Sequence, residues 1–96
     1  MLNHHVFHNN ELVLTKTFTQ SFSMPANNTQ TGGITISIPS GYSVLIATFN
    51  TNVNGITESV IAYWGTVIVR TITNYTSNVI NGTTQLVVIF IKSIVV

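Results

Sequence analysis

The sequence has no cysteine and no aspartate, and charged residues make up only 5% of its 96 positions. Each shortage removes a class of function. Without cysteine there are no disulfides and no thiolate chemistry, and redox compartment leaves no trace in the sequence. Without aspartate the carboxylates reduce to Glu11 and Glu58. A paired-carboxylate hydrolase would need both, one near the start of the chain and one beside a turn. A Ser-His-acid triad would have to recruit one of three histidines confined to residues 4–8. No glycine-rich phosphate loop, nucleophile elbow or metalloprotease helix is present. The reading is non-enzymatic, with no cofactor.

The basic residues are Lys16, Arg70 and Lys92, spread along the chain with a net charge of +1. No basic patch suited to nucleic acid or anionic lipid forms in sequence. The N-terminus lacks the basic and apolar regions of a signal peptide. The run 86–96 is apolar except for Lys92 and Ser93. It covers roughly eleven residues where a membrane helix needs about twenty. A buried strand is the expectation, with no membrane insertion.

What is present is 45% hydrophobic residues, with Asn and Thr in place of charge. A soluble domain usually carries about a quarter charged residues. A surface of amides, hydroxyls and exposed carbon suits a subunit covered by its own copies. At 10.5 kDa the single domain would expose roughly 5,400 Å². Two patches of about 800 Å² each would hide roughly 30% of that, as a cyclic trimer does. A closed dimer with one larger patch also fits.

The periodicity is that of strands. In 12–24 the even positions are mainly apolar (Leu12, Leu14, Phe18, Phe22, Met24) and the odd ones mainly hydroxylated. Ile34, Ile36 and Ile38 alternate with Thr35 and Ser37. The runs 43–49 and 59–64 are more continuously apolar, as in strands covered on both faces. The runs 66–73 and 83–91 are rich in β-branched residues. No window carries helical spacing. Asn54-Gly55 and Asn81-Gly82 predict tight type I′ hairpins. Pro39-Ser40-Gly41 separates two strands, and Gly32-Gly33 closes a polar loop begun near Asn27. The fold class is all-β: an antiparallel β-sandwich, jelly-roll-like, with a flattened barrel as second choice. Residues 1–10 read as an N-terminal arm and 11–96 as the folded domain.

Four segments follow one another in a familiar order. Ile36-Ser37-Ile38-Pro39-Ser40-Gly41-Tyr42 leads into an apolar strand. Gly65 to Arg70, a polar stretch near 74–77, and Leu86 to Lys92 follow. This resembles the small β-sandwich modules at the C-termini of bacteriophage tail-fibre, baseplate and other virion proteins, over roughly residues 22–92. The resemblance implies a homotrimeric knob on the virion surface, made in the bacterial host cytoplasm and usually engaged in host attachment. Implied partners are other virion proteins, a fibre shaft or the capsid, and a host-surface polysaccharide. An alternative is a capsid decoration or head-fibre protein held to the shell by its arm, through Leu2, Val6 and Phe7. A bacterial lectin-like carbohydrate-binding module is a more distant one.

Candidate sites follow from residue type. Amides beside aromatic rings suit sugars, since rings stack on apolar sugar faces while amides match hydroxyls. This selects Asn50, Asn52 and Asn54 in the loop 50–57, with Tyr75 and Asn78 in 75–82. Phe18, Phe22, Phe49 and Phe90 are expected in the core. Tyr63 and Trp64 are expected beneath a sheet edge or in a subunit interface. His4, His5 and His8 would meet their copies on a threefold axis, where a metal would find imidazole ligands. A solvated arm that binds nothing is the plainer reading, since the spacing matches no zinc pattern. The Asn-X-Thr sequons at Asn27, Asn74 and Asn81 are expected by chance in so Asn- and Thr-rich a chain.

Overall fold

The computed structural model describes residues 11–93, which form six strands and no helix. The strands are β1 (Val13–Met24), β2 (Asn28–Thr35), β3 (Tyr42–Asn50), β4 (Ile56–Trp64), β5 (Val67–Asn74) and β6 (Ile80–Lys92). They make two antiparallel three-stranded sheets, ordered β1-β6-β3 and β2-β5-β4. These are named below by their central strands. The arm residues Leu2, His4, His5, Val6, Phe7 and His8 lie outside the described residues.

Side-chain alternation decides how the sheets meet. In β6, Leu86, Val88 and Phe90 are fully buried and alternate with Val87, Ile89 and Ile91 on the outer face. Ile68 and Ile72 do the same for β5. One apolar cluster joins Ile34, Ile36 and Ile68 of the β5 side to Ala47, Leu86, Val88 and Phe90 of the β6 side. A second joins Met24, Ile56 and Ile72. The two sheets therefore share a core. Phe90 is in its centre, and Phe18, Phe22 and Phe49 pack against the clusters half-buried.

Several turn expectations are corrected. Asn81-Gly82 is no hairpin: both residues sit inside β6, opposite Ser23 and Phe22. A Cβ on Gly82 would lie 3.1 Å from Phe22 Cζ, so the glycine makes room for a ring. Asn54-Gly55 does turn, but β3 and β4 belong to different sheets, so it joins layers rather than paired strands. Gly55 has φ 88° while Asn54 stays outside the positive region. Ile56 N donates to Val53 O at 3.2 Å, the pattern of a type II turn rather than type I′. Within one sheet the hairpin is at Gly65-Thr66, where Trp64 pairs with Val67 and Gly65 has φ 61°. A positive φ at the first central position is what a type II′ turn requires. Gly32-Gly33 lies within β2, opposite Arg70 and Val69, rather than in a loop.

The two apolar runs read as doubly covered strands are edge strands instead. β3 and β4 each flank one sheet, and each carries a register shift, at Val44/Ile46 and Val60/Ala62. The extra residues, Leu45 and Ile61, are exposed, as bulges on sheet edges often are. Trp64 is 71% exposed rather than tucked under an edge. The Tyr63 hydroxyl accepts from Ala47 N at 2.9 Å and so caps a main-chain donor of β3.

A polar seam crosses the interior between the two clusters. Arg70 and Glu58 fall on the inward alternation of β5 and β4. Arg70 Nη1 donates to Glu58 Oε2 at 2.6 Å, with the Glu58 side chain fully buried. Thr51 Oγ1 donates to the other carboxylate oxygen at 2.7 Å, and the guanidinium stands 5.8 Å from the Phe49 ring centroid. Thr84, also buried, has no protein partner for its hydroxyl among the described residues.

Two stability predictions follow from this packing. Gly55→Ala places a Cβ 2.5 Å from Thr76 Cγ2 at φ 88°, and should lose about 2–4 kcal/mol in urea unfolding. Gly32→Ala meets nothing within 4 Å, and should be neutral or gain up to about 1 kcal/mol through the unfolded chain. Arg70→Met strands a buried carboxylate and should cost about 3–5 kcal/mol. Adding Glu58→Leu to it should recover most of that loss in the same measurement.

Candidate functional site

The strand directions sort the connections into two poles. The starts of β1 and β3, the ends of β2, β4 and β6, and the Gly65 hairpin share one pole. There Lys92 N donates to Leu12 O, Ser93 N to Gly41 O and the Tyr42 hydroxyl to Glu11 O. The opposite pole is built from three loops: 25–27, 51–55 and 75–79. Both ends of the described chain thus lie at one pole, and free loops at the other. Twelve residues of β1 separate them by about 40 Å at strand rise.

One side chain organises the loop pole. Asn74 continues the inward alternation of Ile68, Arg70 and Ile72 and is fully buried. Its Nδ2 donates to the carbonyls of Met24 (3.1 Å), Pro25 (3.0 Å) and Asn78 (2.7 Å). Its Oδ1 accepts from Thr76 N at 2.9 Å and Thr76 Oγ1 at 2.8 Å. Carbonyls of the first and third loops are thus held on one amide. Main-chain bonds complete the join: Asn27 N to Thr76 O at 2.9 Å, and Tyr75 N to Gly55 O at 3.1 Å. Asn27 adopts φ 51° to make the first, a conformation Asn tolerates better than most residues.

The sequence-predicted ligand residues divide. Asn52, Asn54, Tyr75 and Asn78 are all exposed on loops of this pole, and the Tyr75–Gly55 bond brings their loops together. Tyr75 is 62% exposed, so its ring offers a free face. Asn50 lies apart from them, at the end of β3 opposite Gln85 and on the outer face of the β6 sheet. Sequence reasoning missed Asn74, treating it as a chance sequon. Its strand parity, with Thr two residues later, was the available signal. Glu58 was weighed as a catalytic carboxylate; both its oxygens are engaged by Arg70 and Thr51 inside the core.

The loop pole is a surface rather than a pocket. A recess of about 110 Å³ does occur elsewhere, lined by Gln30, Thr31, Gly32, Gly33, Arg70 and Ile72. Gly32 opens it by leaving the position opposite Arg70 without a side chain. It is well below the roughly 300 Å³ at which ligand pockets begin, too small for a sugar ring. At the loop pole the chemistry is exposed amides and hydroxyls, the Tyr75 ring and the Val79 side chain. That arrangement can hydrogen-bond and stack.

No family model, curated protein or solved structure matches the chain.

The amide hub carries the prediction here. Asn74→Ala removes an amide that five hydrogen bonds share and should destabilise the fold by about 3 kcal/mol or more. Hydrogen exchange should accelerate first at Asn27, Thr76 and Tyr75. Exchange that stays native at those amides would show that the loops hold together without it.

Proposed function

We propose that the chain is a non-enzymatic surface module of a bacteriophage particle. It is a jelly-roll-like β-sandwich that assembles as a homotrimer and attaches to host-surface polysaccharide through its loop pole. The observation that carries the reading is the polarity of the module. The first and last described residues gather at one pole, and the other is occupied by three loops, two held by Asn74 and the third by a main-chain bond from Tyr75 to Gly55. A knob tethered to a shaft or shell needs this separation between anchor and contact surface. The nested pairing supports the jelly-roll part: β1 with β6 and β2 with β5, with β3 and β4 folding back onto the central strands. The sequence resemblance to virion knob modules supports the setting.

Sugar recognition suits what the loop pole exposes. Amides of Asn52, Asn54 and Asn78 donate and accept, as sugar hydroxyls do, and the Tyr75 ring suits an apolar sugar face. The lack of a deep pocket fits a polymer bound along a surface rather than a small molecule enclosed. A second reading, capsid decoration, draws on the same polarity, since the anchoring pole would then sit on the shell through residues 1–10.

The test is binding to immobilised bacterial surface polysaccharides, read alongside solution mass. Changing Asn52, Asn54 and Tyr75 together to Ala should abolish binding while leaving the mass unchanged. Binding that survives the triple change would remove the loop pole as the site. A chain that binds no polysaccharide, yet associates with capsids through residues 1–10, would establish the decoration reading instead.

A further inference from the structure

We propose that the recess beneath β2 is a binding site for a single carboxylate group, reached through the gap that Gly32 leaves and held by the Arg70 guanidinium. The site is separate from the loop pole and does not rest on the attachment reading.

Gly32 is the residue the fold does not account for. A glycine inside a strand weakens it and packs against nothing. Gly33 beside it has a steric reason, since a Cβ there would lie 2.8 Å from Val67 Cγ1. Gly32 has no such reason. Its φ is not positive, and a Cβ on it would meet nothing within 4 Å. It takes the inward position opposite Arg70, between Gln30 and Ile34 of the same parity. The missing side chain leaves about 110 Å³ open beside Arg70, lined also by Gln30, Thr31 and Ile72. Glycine within a strand often marks the close approach of a ligand, and here the approach ends on a cation.

The polar layer around Arg70 has donors to spare. Glu58 engages Nη1, whereas a guanidinium carries five N–H donors. The Arg70 side chain is 16% exposed and that of Glu58 not at all, so the recess presents the cation rather than its partner. Glu58 already accepts at both oxygens, from Arg70 and from Thr51. On the facing sheet, Thr84 stands between the two apolar clusters on β6, as Arg70 does on β5. Its buried hydroxyl has no partner among the described residues. Buried polar groups are normally paired, and this layer is short of acceptors.

Size and charge select the ligand. The recess holds roughly three or four heavy atoms at about 30 Å³ each, enough for a carboxylate and too few for a sugar ring. A planar carboxylate meets a guanidinium fork through two parallel hydrogen bonds. Arg70 repels a cation. A dianion such as phosphate would double the repulsion from Glu58, which shares the same guanidinium. The carboxylate belongs either to a small free acid or to an acidic sugar whose ring stays outside the recess.

The experiment is an amide NMR titration of the full chain with sodium acetate, against sodium chloride at matched ionic strength. Acetate should shift the Gly32 and Gly33 amides and the Arg70 Nε–H, saturating in the millimolar range expected of so small a ligand. The amides of Asn52, Asn54 and Tyr75 should stay in place, and changing those three residues to Ala should leave the titration unaltered. Gly32→Val fills the recess without touching the ion pair. It should weaken acetate binding at least about tenfold, with an unchanged or higher urea midpoint. Gly32→Ala, whose Cβ has open space, gives the same test at smaller amplitude where valine disturbs the strand. Shifts that chloride reproduces, or that both variants leave intact, would overturn the site. Glucose and glucuronate separate the sources. Glucuronate that binds about tenfold tighter than acetate assigns the site to a sugar acid, and equal affinity assigns it to a small acid. Glucose that moves the same amides as strongly as glucuronate would overturn the carboxylate.

Discussion

The Arg70–Glu58 pair is the constraint around which the rest of the structure is arranged. It spans β5 and β4 within the core, at 2.6 Å, with the carboxylate wholly out of water. Burying such a pair is not efficient stabilisation, since desolvation cancels much of the attraction. Its effect is on register. Sliding β5 by one residue would send Arg70 to the outer face and leave Glu58 buried alone. The pair also extends to the opposite sheet, because Thr51 donates to Glu58 and Phe49 lies beside the guanidinium. The β3 end, and therefore the start of the loop 51–55, is positioned from inside the core. The loop pole inherits that placement: Asn74, two inward positions further along β5, holds the other two loops together, and Tyr75 N ties them to Gly55 O.

Some of this was legible in the sequence, and the reasons are local. Strict alternation in 12–24 and 34–38 located β1 and the Ile34–Ile36 part of the core, because period two is the strand's own geometry. Pro39-Ser40-Gly41 was read correctly since Gly41 does take a positive φ, 84°, with Tyr42 N donating to Pro39 O. The failures share another cause. Asn81-Gly82 has hairpin composition, but its glycine answers to the Phe22 ring on the neighbouring strand, a contact sixty residues away in sequence. Continuous apolar runs in β3 and β4 suggested strands covered on both faces. They record bulged edge strands whose outer carbon is exposed in a single chain. Propensity reports on neighbours in sequence, whereas these choices were made by neighbours in space.

The candidate site divides in the same way. Residue type alone selected the exposed amides and Tyr75, and the fold gathers four of the five. What residue type did not reveal was the support beneath them. Asn74, Arg70 and Glu58 are polar residues at positions whose parity marks them as internal. In a chain with so few charges, inward parity for all four ionic strand residues is itself a signal. It leaves the outer faces of the described strands without an ionic side chain.

If the chain assembles and attaches as proposed, the two would be coupled by geometry. A shallow surface of amides and one ring has little enclosed area, and contact with a hydrated polysaccharide would gain only a modest free energy. The Asn74 network lowers the ordering cost by fixing the loops beforehand, but does not add contacts. Repetition does. The homotrimer proposed above would hold three loop poles side by side. A repeating polymer could then engage them together, and the effective concentration of the second and third contacts would replace the depth each lacks. On the proposed reading, repetition of the loop pole would supply the strength that one shallow surface lacks.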